Sequence, residues 1–409
     1  MATHTGPGRL TTRAAAEAYV GGVCFKLGPP RLIGAELEWL TRSPDGHRPA
    51  LADFRAALGS HAPTTVDARS PADPLPAGSR VTLEPGGQIE LSSPPLPSVA
   101  ELCEALASDT AHLRGLLDRS GIAMHDAAAD VERRAQRILP APRYSAMQRR
   151  FDRIGPFGRL MMCNTTATQI SVDAGADPAD VAARWTALHA MGPALLAAFA
   201  CSPRLRGAPD GEWASQRMRT WFELDHGRTS PPPMAEPIAG YARWALDAPL
   251  LCVRNGCGGR GDDWSLDRDA SFAAWLDGEL DAEIGRRPDR DDLDYHLTTL
   301  FPPVRAGGHV EVRYLDAQPG GLWRVPIAAL GALLGDPRTV AAATVLASGT
   351  VGRWRDAAEF GLRDREIRSV AADLLDLAAE GAESCAGDLA AAARRCRRGR
   401  SVAEAVADA

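Results

Sequence analysis

Lysine is almost missing from this 409-residue chain: 45 of its 46 basic residues are arginine, and Lys26 is the exception. That excludes a GxxxxGK[ST] phosphate loop and a kinase-type lysine, and it leaves one candidate for a Schiff base. Any phosphate handled here must be held by arginine, backbone N–H groups or a metal ion. Excess positive charge is missing too. Acidic residues number 52, so the formal charge is −6, and the basic stripe of a nucleic-acid binder is not expected. No apolar run reaches 18 residues, so neither a transmembrane helix nor a membrane partner is expected. The stretch AAAEAYVGGVCF is interrupted by Glu17 and lacks the basic flank of a signal peptide. No cysteine pair has CxxC spacing, and Cys252 and Cys257 are separated by four residues. Reduced thiols in a cytoplasmic protein are therefore expected, rather than a zinc site or a disulfide framework.

What is present is an ordinary globular composition, 45% hydrophobic and 24% charged. With no internal repeat and no clean linker, one catalytic domain over 1–409 is expected, mainly helical from about 320 onward. The pattern predicts a first helix around Ala14–Val20 and strands at 31–40, 80–93 (two, joined by Pro85-Gly86-Gly87), 161–174 and 308–316. It predicts helices near Leu51–Leu58, over 98–120 with Ser98 and Glu101 as a capping box, and from Asp177 to Ala200 with Pro178 just inside the start. Residues 265–300 read as helical with loops between, and 215–232 as mixed.

Four strand-like segments share a feature. Side chains alternate faces along a strand. Glu36 and Glu38 therefore share a face in IGAELEW, as do Gln88 and Glu90 in EPGGQIELS, Gln169, Ser171 and Asp173 in TATQISVDA, and Glu311 and Arg313 in HVEVRYLD. Any one of these reads most simply as an amphipathic strand with a wet face. Four together, rich in acids and amides, suggest a shared cavity. Two carboxylates about 4 Å apart at an effective dielectric of 20 repel by about 4 kcal/mol, so such a cluster needs cations to stay ionised. Oxygen donors without a Cys or His pattern suit Mg²⁺ or Mn²⁺, and magnesium beside arginines suits nucleotide phosphate chemistry. The run at 216–229 adds Arg217, Arg219, Trp221, Asp225 and Arg228, and arginine forks grip small carboxylates. His296 in HLTTLFPPVR reads more readily as structural than as catalytic.

These residues carry a resemblance. IGAELEW, LEPGGQIELSSPP, PRYSAM, MMCNTTATQISVD, FACSP, the R-x-x-x-W-x-x-x-D-x-x-R run at 217–228, HLTTLFPPVR and EVRYLDAQP occur in the order found in the plant- and proteobacterial-type glutamate–cysteine ligase family, over about residues 30–320. Within the family the chain is most similar to the actinobacterial ligases of ergothioneine biosynthesis. The resemblance implies an α+β, glutamine-synthetase-like fold, in which a curved, mainly antiparallel sheet forms an active-site funnel with helices outside. It implies ATP- and Mg²⁺-dependent joining of L-glutamate to L-cysteine, with two or three ions (Mn²⁺ an alternative) and a monomer or weak homodimer. By similarity, Glu36, Glu38, Glu84, Glu90, Gln169 and Glu311 are metal ligands, with Glu38 and Arg313 catalytic. Arg143, Thr168, Arg217 and Trp221 hold glutamate, and Arg228, Arg305 and Arg313 hold ATP. Two departures stand out: the redox cysteines of plant relatives have no counterpart here, and a triple proline at 231–233 follows the arginine run. A related ligase with another amine acceptor, a silent amino-acid or nucleotide sensor, and a two-metal hydrolase remain as alternatives.

Overall fold

Alternating apolar and acidic residues between Ile33 and Arg42 force this segment to bury one face, and it forms the central strand β1 (Ile33–Arg42). A computed structural model of the protein describes residues 10, 12–254 and 262–407; the N-terminal arm and Cys257 fall outside them. Around β1 the chain lays β2 (Arg80–Leu83), β3 (Ile89–Ser92), β4 (Ala123–His125), β5 (Ala167–Val172), β6 (Val304–Ala306) and β7 (Val310–Asp316). Every pairing is antiparallel, in the order β2-β3-β1-β5-β7-β6, with β4 beside the far end of β1.

Register brings the acids together. Glu38 lies opposite Glu90, Glu36 opposite both Ser92 and Gln169, and Ser171 opposite Glu311. The predicted turn joins β2 to β3: the Gly87 N–H donates to the Glu84 carbonyl at 2.8 Å, and Gly87 takes φ +86°, where glycine is favoured. Gly86 has a different reason to be glycine, since a Cβ there would lie 2.4 Å from the Cys163 carbonyl oxygen.

The helices that bear on the sheet and its cavity come first in the chain: α1 (Arg13–Cys24), α2 (Leu51–Leu58), α3 (Val99–Asp118), α4 (Pro142–Asp152), α5 (Phe157–Asn164), α6 (Pro178–Phe199), α7 (Gln216–Phe222) and α8 (His226–Thr229). Asp177 caps α6, accepting from the Ala179 and Asp180 N–H groups, with Pro178 at the first turn. Ser98 caps α3 by accepting from the Glu101 N–H, while the Glu101 carboxylate receives the Ser98 hydroxyl, so only half of the expected capping box forms. The apolar α6 lies nearly wholly buried against β7 and the helices Pro337–Leu346, Trp354–Phe360 and Arg365–Gly381. This helical layer covers the face of the sheet that carries Ala35, Leu37, Ile170 and Val312.

The predicted strand over 161–174 is corrected: residues 157–164 are helix α5 and only 167–172 are strand. A short apolar run such as LMMC fits either state; here it lies in a helix packed on α4, where a Cβ on Gly158 would come within 2.1 Å of the Phe151 Cβ. The mixed segment at 215–232 contains α7 and α8, and 265–300 contains three short helices, Phe272–Asp277, Asp281–Ile284 and Arg290–Leu297. Strands β4 and β6, three residues each, escape the sequence pattern.

Candidate functional site

The polar face of the sheet floors a cavity of about 320 Å³. Glu36 and Glu38 project into it from β1, Glu90 from β3, Glu84 from the turn before β3, Gln169 from β5, Arg305 from β6 and Arg313 from β7. Arg217 and Trp221 of α7 and Arg143 of α4 close its sides. Tyr144, Met147, Met161, Met162 and Phe301 form an apolar wall opposite the acids.

The acids fall into two environments. Burial, joined by repulsion from Glu90 and Glu311, pushes Glu36 well above the ordinary carboxylate range. Glu38 rises in the same way, through burial and the charges of Glu90 and Glu84, although the Ala167 N–H donates to its Oε2 at 2.9 Å. Glu84 is raised by burial and by Glu36, and Glu90 is pushed up to about 7 by burial and Glu84, against the Thr82 and Ser92 hydroxyls that donate to it. Glu311 is the exception. Burial alone would raise it, but Arg305 Nε donates to its Oε2 at 2.6 Å and Arg313 Nη1 to its Oε1 at 2.9 Å, and they hold it down at about 2.

Four carboxylates are thus crowded without enough positive charge. Gln169 commits its amide N–H groups to Glu36 (2.9 Å) and Glu38 (3.2 Å), which leaves its Oε1 buried with no partner. An orphaned oxygen beside underneutralised carboxylates is a donor set suited to a hard divalent cation. Among the described residues, no three acidic, histidine or cysteine side chains are arranged to hold one ion as they stand.

Of the arginines expected at substrate, Arg143, Arg217, Arg305 and Arg313 line the cavity. Arg217 is 3% exposed; its Nη2 donates to the Arg313 carbonyl at 2.8 Å, and its nearest carboxylate, Asp316, is 3.9 Å away. Arg143 donates to the Thr298 hydroxyl and carbonyl, both at 2.8 Å. Three expectations need revision. Arg228 lies outside the cavity, fully buried, with its donors consumed by Asp225 (2.9 Å), the Thr299 carbonyl (3.0 Å) and the Pro249 carbonyl (2.6 Å). Asp225 also receives Arg150 Nε at 2.8 Å, so the D-x-x-R part of the run is a structural clamp. Thr168 faces the core: it pairs with Leu37 in the ladder and does not line the cavity. Glu311, expected to hold metal, has both oxygens taken by guanidinium groups. His296 is structural as expected, donating from Nε2 to the Ala245 carbonyl at 2.8 Å, and burial lowers its pKa to about 4. Sequence reasoning misses the methionine–aromatic wall, although PRYSAM, MMCN and HLTTLFPPVR contain it; apolar runs beside acidic strands are the available signal.

The family model described as glutamate–cysteine ligase family 2 matches residues 32–409. The glutamate–cysteine ligase EgtA of Mycolicibacterium smegmatis is 36% identical over 382 residues, which covers 91% of this chain and 86% of that protein. EgtA of Mycobacterium tuberculosis strain H37Rv is 36% identical over 90% of this chain and 84% of its own length. The chloroplastic glutamate–cysteine ligase of Arabidopsis thaliana is 29% identical over 74% of this chain and 60% of its own. A solved glutamate–cysteine ligase from Francisella tularensis in complex with AMP aligns with a TM-score of 0.46 at 13% identity, covering 94% of this chain and 85% of that one.

Proposed function

The chain belongs to glutamate–cysteine ligase family 2, and from that premise we infer that the acidic cavity is where L-glutamate and L-cysteine are joined. The protein is a glutamate–cysteine ligase, forming γ-glutamylcysteine. In our reading the reaction uses ATP, because a free carboxylate does not acylate an amine. The γ-carboxylate attacks the terminal phosphorus of ATP, forming γ-glutamyl phosphate and releasing ADP. The amine of cysteine then attacks the acyl carbon, phosphate leaves, and one proton is lost from the nitrogen. No covalent enzyme nucleophile is needed, which suits a chain with a single lysine.

Each side chain receives a role. Glu36, Glu38, Glu84, Glu90 and Gln169 would hold Mg²⁺, two or three ions by resemblance, with Mn²⁺ as the substitute. Bound cations would supply charge neutralisation of the carboxylates and of the phosphate oxygens. Glu311 acts by aiming Arg305 and Arg313 toward the nucleotide phosphates. Arg217 and Arg143 grip the α-carboxylate of glutamate, with Trp221 packing on its stem. The observation that carries this reading is the convergence of four carboxylates with raised pKa and the orphaned Gln169 oxygen in the same cavity as Arg217, Arg305 and Arg313. Ergothioneine biosynthesis is our proposal for the pathway, on the resemblance to the actinobacterial ligases. We place the protein in the cytoplasm as a monomer or weak homodimer; free thiols at Cys24, Cys103, Cys163, Cys201, Cys385 and Cys396 support a reducing compartment.

The test is an amine-acceptor screen coupled to ADP detection. ADP release should require glutamate, cysteine and Mg²⁺ together. Release with another amine in place of cysteine would replace this substrate assignment.

A further inference from the structure

We propose that a second cavity, behind α7, is a binding site for a small organic anion with an aromatic or apolar body and one N–H or O–H donor. The cavity has a volume of about 480 Å³, and none of its lining residues lines the acidic funnel. Phe222 of α7, Pro231 and Pro232 of the triple proline, and Trp354 supply apolar and aromatic walls. Two consecutive prolines fix their own φ, so that wall is stiff before any ligand arrives.

His189 of α6 gives the cavity its chemistry. It is 2% exposed and lines the inner wall. Its Nδ1 lies 2.9 Å from the Trp185 carbonyl, and a carbonyl only accepts, so Nδ1 carries the proton and Nε2 is a bare acceptor. Nε2 is buried and has no partner in the protein. A buried acceptor left unpaired is uncommon and calls for a reason. Burial lowers the imidazole pKa to about 4, so the ring stays neutral and accepting at pH 7. A ligand N–H or O–H would complete it.

The sign of the ligand follows from the lining. Among the described residues it contains no carboxylate; its ionisable groups are His189, His226 and Arg355. Arg355, 55% exposed, gives Nη2 to Glu223 at 2.6 Å, has its Nε 4.0 Å from Glu359, and keeps its Nη1 donors for an anion at the mouth. Size, apolar walls and a few convergent polar groups are the ordinary attributes of a small-molecule site.

Indole-3-acetate, which has the ring, the N–H and the carboxylate, is the probe. Titration calorimetry and NMR of the full chain labelled with ¹⁵N-histidine should show saturable one-to-one binding and a shift of the His189 Nε2 resonance, unchanged by saturating glutamate and Mg-ATP. Tryptamine, with an ammonium in place of the carboxylate, should bind at least about tenfold more weakly. Val351→Asp, on the exposed rim, and His189→Leu should each weaken indole-3-acetate by about tenfold or more. If His189→Leu fails to fold, Val351→Asp and tryptamine carry the test. Absence of saturation, wild-type affinity in the variants, or displacement by glutamate or ATP would each overturn the proposal. The readout needs no turnover, so this result and the ligase reading stand or fall separately.

Discussion

The two faces of one sheet are built on opposite principles. Toward α6 the strands present Ala35, Leu37, Ile170 and Val312, covered by apolar helices, and His189 within that layer has one ring nitrogen on a carbonyl and a pKa that burial lowers to about 4. Toward the funnel the same strands present Glu36, Glu38, Glu90 and Gln169, of which the carboxylates are raised by burial and mutual repulsion. The first face gains stability from every side chain it buries. The second is frustrated in isolation, and proton uptake or a ligand with positive charge relieves it. A stretch of β1 just ten residues long serves both ends because its period is two. Such local conflict marks a functional site, where stability gives way to chemistry.

The sharpest way to break this contrast is Glu38→Gln. It removes charge from the frustrated face, so turnover should fall by about 1000-fold, worth about 4 kcal/mol, while thermal unfolding shows an intact fold. Unchanged turnover would remove Glu38 from the site. On the opposite face, Leu188→Ala in α6, where Leu188 is fully buried, should cost about 3 kcal/mol in urea unfolding and leave both KM values alone. A shift in KM there would mean that the two faces are coupled. Arg217→Ala should raise the glutamate KM by about 30-fold, or about 2 kcal/mol, and the cysteine KM by much less; steady-state kinetics with each substrate varied would reveal the reverse if the pockets are exchanged.

The smallest effect concerns acid. His296 titrates near 4 when folded and near 6.5 when unfolded, so the native state binds fewer protons between these values. Its contribution is whole above pH 6.5 and is lost as pH falls through 6.5 toward 4, at about 1.4 kcal/mol per pH unit. Denaturant midpoints of wild type and His296→Phe, measured at pH 7 and 5.5, should diverge in that sense. Parallel midpoints would contradict a neutral buried ring.

Several elements are legible in the chain's own residue order. The period-two acids of β1 and β3 identify their own faces, and Pro85-Gly86-Gly87 marks its turn, because strand alternation and glycine conformation are local properties. The same alternation puts Thr168 on the face opposite Gln169, so a place for it at the substrate conflicts with the strand's own period. Other features are not local. Arg228 and Arg217 stand in one motif and look alike as residues, yet one is consumed by Asp225, Thr299 and Pro249 and the other faces the cavity. Only the packing of distant loops makes that choice.

Residue type and spacing alone therefore determined that the polar strand faces of this chain carry carboxylates, amides and arginines rather than lysine or cysteine, and on which side of each strand they stand. Tertiary structure decided which charges meet. It gave Glu311 two guanidinium partners and left Glu36, Glu38, Glu84 and Glu90 to one another, because Coulomb energy depends on distance through space and strand order sets that distance.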